Sequence, residues 1–379
     1  MTGSRDTIVV MVHHGLGDVV MALPMLHDID RNMPADWHLC LAIKGPLEAS
    51  LIDCIAWRHP VSTLQIGAER GPAAALRHVP IPWRMRHMAP AVFVAAQMLP
   101  RATNAVFARI VGAPVSVGPE GPWQSAGFGH CISGLGREHK TIYFAKFAEA
   151  AGLRDKDAPL TYPPLKVPFP APGENTAPTF LFAPACWERE RYKRWPLEKF
   201  ARLSALLSER KPGSKILLFG SAGERPLLSE LSGLIGDRAD TEIVVPGTVG
   251  DSLATLARAD CVIGACTGTL HLAALAGRPI VGLYGPTNPS ITGPYSDRLT
   301  ILRLGLACSP CFAADFLLGC GTPICMQDIG TGPALDAVLE ALEGRFKPAP
   351  KNVRTSVLRK PVPLSPDAQA NGESREEKS

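Results

Sequence analysis

Asp18 closes the run Gly15-Leu16-Gly17-Asp18, which directly follows the apolar segment Thr7 to Val12. A carboxylate in such a loop has two uses. It can cap the helix that begins there and sit favourably in its dipole. Set in a cleft, it can instead take the proton from a sugar hydroxyl as that oxygen attacks. The glycines let backbone approach a ligand, and the amides of a helix start favour an anion. A dinucleotide fingerprint would need glycine at position 20, where Val20 stands, so nicotinamide chemistry is disfavoured.

A second group of residues suits phosphates. The segment 188–194 carries Arg189, Arg191, Lys193 and Arg194 ahead of Trp195-Pro196. Cations there could stabilise the charge growing on a departing diphosphate, or be ordinary surface charges before a helix. Glu224, at the end of Phe219-Gly220-Ser221-Ala222-Gly223-Glu224, reads either as an acid at a helix start or as a carboxylate for ribose hydroxyls. Cys266-Thr267-Gly268-Thr269-Leu270-His271 places small residues at a helix start, which suits a phosphate; His271 by itself reads as a packed core histidine. Turn chemistry alone accounts for Gly285 to Pro289. Cys308, Cys311, Cys320 and Cys325 form C-x2-C-x8-C-x4-C, either a tetrahedral zinc set or a reduced structural cluster.

What positions these groups follows from the chain as a whole. Its 379 residues suit two domains. With 46% apolar and 20% charged residues the chain should fold, and a net charge of +4 gives no whole-molecule pull toward nucleic acid. The N-terminus lacks the pattern of a secretory signal. No apolar run reaches the ~18 residues of a membrane span. The expected location is the cytoplasm or the inner face of the cytoplasmic membrane, where the ten cysteines would be thiols or metal ligands.

Strands are expected at Thr7–Val12, His38–Ile43, Thr179–Ala183, Lys215–Phe219, Glu242–Val245, Cys261–Gly264 and Pro279–Tyr284. Helices are expected at Val19–Asn32, Leu197–Arg210, Pro226–Ile235, Ser252–Ala259, Leu270–Ala276 and Pro333–Leu342. This alternation gives α/β units with parallel sheets. The expected division is residues 1–165, a linker at 166–178, a second unit at 179–346, and a disordered tail at 347–379. Every informative loop follows a strand, so all could face one cleft. Between positions 70 and 119 stand Arg70, Arg77, Arg84, Arg86, Arg101 and Arg109 with no acid among them and Trp83 interleaved. That stretch suits a phosphorylated, lipid-linked acceptor at an anionic membrane surface, or a merely solvated basic face.

Five segments in order, GLGDVVMALPML, KRWPLEKFARL, LLFGSAGE, TGTLHLAALAGRPIVGLYGPTNP and CSPCF followed by CM, resemble the heptosyltransferases of glycosyltransferase family 9 over roughly residues 7 to 345. The resemblance implies a GT-B fold, two Rossmann-like parallel-sheet domains facing across a cleft. It implies inverting transfer of a heptose from ADP-heptose to the inner core of lipopolysaccharide, with no cofactor required. By the same resemblance Asp18 is the general base and Gly15 and Gly17 belong to its loop. Lys193 lies at the donor phosphates and Glu224 at the ribose. Gly247 contacts the base, and Thr267, Gly268 and His271 hold the donor. Cys266 stands where the family carries aspartate, and Cys186 is a loose match to a donor-contacting position. That replacement motivates an alternative, a nucleotide-sugar-binding protein with impaired catalysis or a transferase using another donor; a GT-B sugar epimerase is a third reading.

Overall fold

The computed structural model describes residues 6–67, 79–96, 102–166, 177–311, 320 and 322–347. The first sheet contains β1 (Thr7–Val12), β2 (His38–Ile43), β3 (Val61–Gln65), β4 (Val92–Ala95), β5 (Val115–Pro119) and β6 (His130–Ile132), in the order β3-β2-β1-β4-β5-β6. The second contains β7 (Thr179–Ala183), β8 (Lys215–Phe219), β9 (Asp240–Val244), β10 (Cys261–Ala265), β11 (Ile280–Leu283) and β12 (Leu299–Leu302), in the order β12-β11-β10-β7-β8-β9. All pairings in both sheets are parallel. Helices cover both faces, so central strands such as β1 and β10 are buried on both sides and read as unbroken apolar runs.

Each sheet reverses its winding once, between β1 and β4 and between β7 and β10. Ligands bind beyond the carboxyl ends of strands at such a reversal. The helices that start there are α1 (Leu16–Asn32) after β1 and, in the second half, the helix Gly268–Leu275 after β10. The remaining helices of the first half are α2 (Pro46–Asp53), α3 (Pro80–His87), α4 (Ala102–Val111) and α5 (Lys140–Ala150). The second half adds α6 (Leu197–Arg210), α7 (Arg225–Ile235), α8 (Val249–Ala257), α9, which is Gly268–Leu275, α10 (Pro289–Thr292), α11 (Ile324–Gln327) and α12 (Thr331–Leu342).

Of the helix starts that differ from the sequence expectation, three bear on the site. α1 begins at Leu16 rather than Val19, which brings Asp18 into its first turn. α9 begins at Gly268 rather than Leu270. α8 begins at Val249 rather than Ser252, because Thr248 and Asp251 form a reciprocal cap: Thr248 Oγ1 accepts from the Asp251 amide and the Asp251 carboxylate accepts from the Thr248 amide, both at 3.0 Å. The strands β3 to β6 were not expected from the sequence.

One cluster of buried apolar side chains runs from Val10, Val20 and Leu23 of the first half to Leu181, Val262 and Leu270 of the second. The two halves therefore meet through packed apolar surface, with α1 against α9. Truncating one of these residues, such as Leu270→Ala, would cost ~2–5 kcal/mol. A second cluster around Phe180, Phe182, Trp195 and Phe200 lies under α6. It fixes the end of the 184–196 loop, since the Trp195 indole donates to the Ile329 carbonyl at 3.0 Å. Most of the expected linker (167–176) and nearly all of the expected tail (348–379) lie outside the described residues.

Candidate active site between the two sheets

The N-termini of α1 and α9 point at one another. A methyl group added at Gly17 would lie 2.9 Å from His271 Cδ2 and 3.6 Å from Gly268 Cα. Only glycine admits this approach of the two backbones. Asp18 is thereby held at the seam, with its amide bonded to the Gly15 carbonyl at 3.0 Å. Gly15 is the cap residue of α1 and supplies no side chain, leaving the first amides open.

Asp18 Oδ1 accepts a 2.7 Å bond from Lys140 Nζ at the start of α5. Burial alone would raise the Asp18 carboxyl, but Lys140, with smaller contributions from His14 and His271, holds it below the usual carboxylate range. Burial pushes His271 down to about 4, and lowers His14 and His139 as well. His14 bonds the Ala96 carbonyl at 3.2 Å. His139 bridges the halves: Nδ1 accepts from the Thr141 amide at 3.2 Å and Nε2 donates to the Gly293 carbonyl at 2.9 Å.

On the second side the geometry suits an anion. Thr267 caps α9 without a side-chain bond to its amides. Thr267 Oγ1, His271 Nδ1 and Thr287 Oγ1 are buried and lack a hydrogen-bond partner among the described residues. A buried polar atom left unpaired costs about 1–3 kcal/mol, so this corner is built for something that brings partners. Cys266 is half-buried, with its thiol 3.9 Å from the Thr292 carbonyl and beside the buried Tyr284 hydroxyl. It adds no fixed negative charge where the resemblance places aspartate.

Lys193 is buried and pairs with Glu190 at 2.7 Å; Arg194 donates to Glu188 at 2.8 Å and to the Cys186 carbonyl at 3.0 Å. The cationic loop after β7 is thus pre-ordered by its own carboxylates. Glu224 accepts from the Ser221 amide at 2.7 Å and from the Ser221 hydroxyl at 2.9 Å, which makes it the cap of its own turn. Gly247 is exposed beyond β9. Glu224 and Gly247 lie on the same carboxyl edge as Lys193, farther from the reversal point.

Arg84 and Arg86 do not join this site. α3 is the crossover from β3 to β4 and runs back toward the amino edge of the sheet, so its last turn lies away from Asp18. There Arg86 donates to the Ile110 carbonyl at the end of α4, at 2.9 Å. Arg70, Arg77 and Arg101 lie outside the described residues. Cys308 and Cys320 are exposed and Cys325 is buried against Gly285. Burial and the neighbouring cysteines push the Cys325 thiol up to about 12. Among the described residues no group of three or more His, Cys, Asp or Glu stands ready to hold a metal ion.

With this geometry in view, comparison with known proteins shows what the chain is similar to. Residues 143–320 match glycosyltransferase family 9 (heptosyltransferase). The heptosyltransferase resemblance read from the sequence is thus borne out over that segment. Lipooligosaccharide heptosyltransferase 2 of Haemophilus influenzae is 32% identical over 115 residues, 30% of this chain and 33% of that one. Lipopolysaccharide heptosyltransferase 2 of Salmonella typhimurium is 30% identical over 169 residues, 40% of this chain and 46% of that one. The aligned parts therefore span a third to under half of these relatives. In three dimensions the likeness is wider. The Escherichia coli ADP-heptose LPS heptosyltransferase II superposes with a TM-score of 0.68 at 17% identity, covering 89% of this chain and 99% of that one. The architecture is accordingly the two-sheet α/β arrangement of the GT-B heptosyltransferases. No helix among the described residues is long and apolar enough to cross a membrane.

Sequence reasoning missed His14, His139, Lys140 and Thr287. His14 stood beside the glycine loop and carried a signal. Lys140 did not, since 122 positions separate it from its partner.

Proposed function

We propose that this protein is an inverting glycosyltransferase that moves a heptose or related sugar from an ADP-sugar to a lipid-linked, lipopolysaccharide-core-like acceptor. The observation that carries this reading is the facing of two helix starts, one bearing a carboxylate and the other bearing the unpartnered Thr267 hydroxyl and His271 Nδ1. Asp18 removes the proton of the acceptor hydroxyl as its oxygen attacks the anomeric carbon. The bond to the diphosphate breaks on the opposite side, and the leaving charge is received by the start of α9, Thr267 and Lys193. Glu224 takes the ribose through the carboxylate that caps its turn, and Gly247 contacts the base through backbone. The ADP-heptose named for the Escherichia coli protein supports the choice of donor.

The groups that pair with or face Asp18 are Lys140, His14 and His271. With Asp18 as base rather than nucleophile, the reaction is a single displacement with inversion. The acceptor would be met at the inner face of the cytoplasmic membrane. Val79 and Trp83, exposed on α3 and just before it, would touch the lipid beside Arg84, apart from the Asp18 cleft. Replacing Arg84 by Glu should then weaken binding to anionic liposomes.

Turnover of an ADP-sugar by wild type and Asp18→Ala tests the reading. Loss of transfer with retained ADP binding supports it. Equal rates would leave only a nucleotide-sugar-binding protein, the reading that Cys266 in place of aspartate favours.

A further inference from the structure

The start of α5 carries a lysine where a helix dipole disfavours positive charge. Local structure does not explain the placement. Lys140 bonds outward, to Asp18 at 2.7 Å, and both side chains are largely withdrawn from solvent. The residue before it, His139, is anchored to Gly293 of the other half, so the position of Lys140 depends on a contact that spans the cleft. The groups facing Asp18 are Lys140 from α5, His14 from the loop after β1 and His271 from α9. Burial lowers both histidines, and Lys140 is the member of that set that forms an ion pair with Asp18.

We propose that Lys140 is a positioning residue for the reaction, its ammonium pinning Asp18 Oδ1 so that Oδ2 is presented to the acceptor hydroxyl. The inference rests on Asp18 acting as the base. The acceptor proton goes to Oδ2 and leaves with solvent exchange after the product departs. Lys140 has a second consequence. A carboxylate placed in so dry a site needs a partner charge to remain ionised. Without Lys140, Asp18 would hold its proton to higher pH and be unready as a base in acid.

The test is the pH profile of kcat/KM for transfer from ADP-heptose to a lipid-linked core acceptor, measured for wild type, Lys140→Met, Lys140→Gln, Lys140→Arg and Asp18→Asn. Both neutral variants should move the acid limb upward by about one pH unit or more, a loss of about tenfold on that limb. Lys140→Arg should return the limb toward wild type, and the KM for donor should change by less than about threefold. Each variant is checked for an ADP-induced rise in melting temperature, which reports folding and an intact donor half. An acid limb at the wild-type pH in the neutral variants, with Asp18→Asn inactive, overturns the role of Lys140 and leaves Asp18 as base. Near-wild-type transfer by Asp18→Asn overturns the base assignment and the Lys140 proposal together.

Discussion

The two halves share a strand order and differ in what they place at the reversal point. The first half puts a short loop after β1 and reaches the helix at once, so Asp18 sits in the first turn with its charge already matched by Lys140. The second half spends the 184–196 loop after β7 on cations paired with the loop's own carboxylates, and leaves Thr267 Oγ1 and His271 Nδ1 unmatched at the start of α9. One side is complete without a ligand, and the other is not. A completed carboxylate suits a group that must be correctly aimed before each turnover. An uncompleted anion corner suits a group that arrives with its own oxygens.

That contrast can be broken from either side. Asp18→Asn should lower turnover by ~10³-fold, within the usual range for a general base, while the melting-temperature rise with ADP persists; loss of both would erase the division of labour. His271, held to about 4 against an unperturbed 6.5, takes up fewer protons folded than unfolded. Its burial should therefore cost stability as pH falls from 6.5 toward 4, on the order of 3 kcal/mol in all. Chemical denaturation of wild type and His271→Asn at pH 7 and pH 5 measures this, and the wild type should lose more. Lys193→Met should cost about 10²-fold in kcat/KM, with the loss read on the donor side of a steady-state analysis. Gly17→Ala inserts a methyl group against His271 and should destabilise by ~1–3 kcal/mol, seen as a lower denaturation midpoint. Cys266→Ala should change turnover by less than about threefold, since this thiol fills space without fixed charge; a large effect would give the second half a reactive group of its own.

Much of the second half was legible because its elements are long, apolar and evenly spaced. Thr179–Ala183, Leu197–Arg210 and Lys215–Phe219 have the bounds their sequences suggest. The first half was harder past β2. β6 is three residues long and largely exposed, and β5 mixes Ser, Gly and Pro into its run, so neither carries a strong pattern. The loop glycines and Asp18 could be read because they are adjacent in sequence. Lys140 and His139 could not, because only folding brings α5 to α1. Arg84 and Arg86 show the reverse problem. Their charge was visible, but a helix sequence does not say which end of a crossover meets the ligand edge, and the structure puts them at the other end.

The central claim is a single displacement across the seam, with the base on one half and the leaving diphosphate on the other. Proton NMR of the glycoside formed from an ADP-sugar of known anomeric configuration tests it most directly. The account predicts that the new linkage has the opposite anomeric configuration to the donor. A linkage that retains the donor configuration would exclude a single in-line displacement and would contradict it.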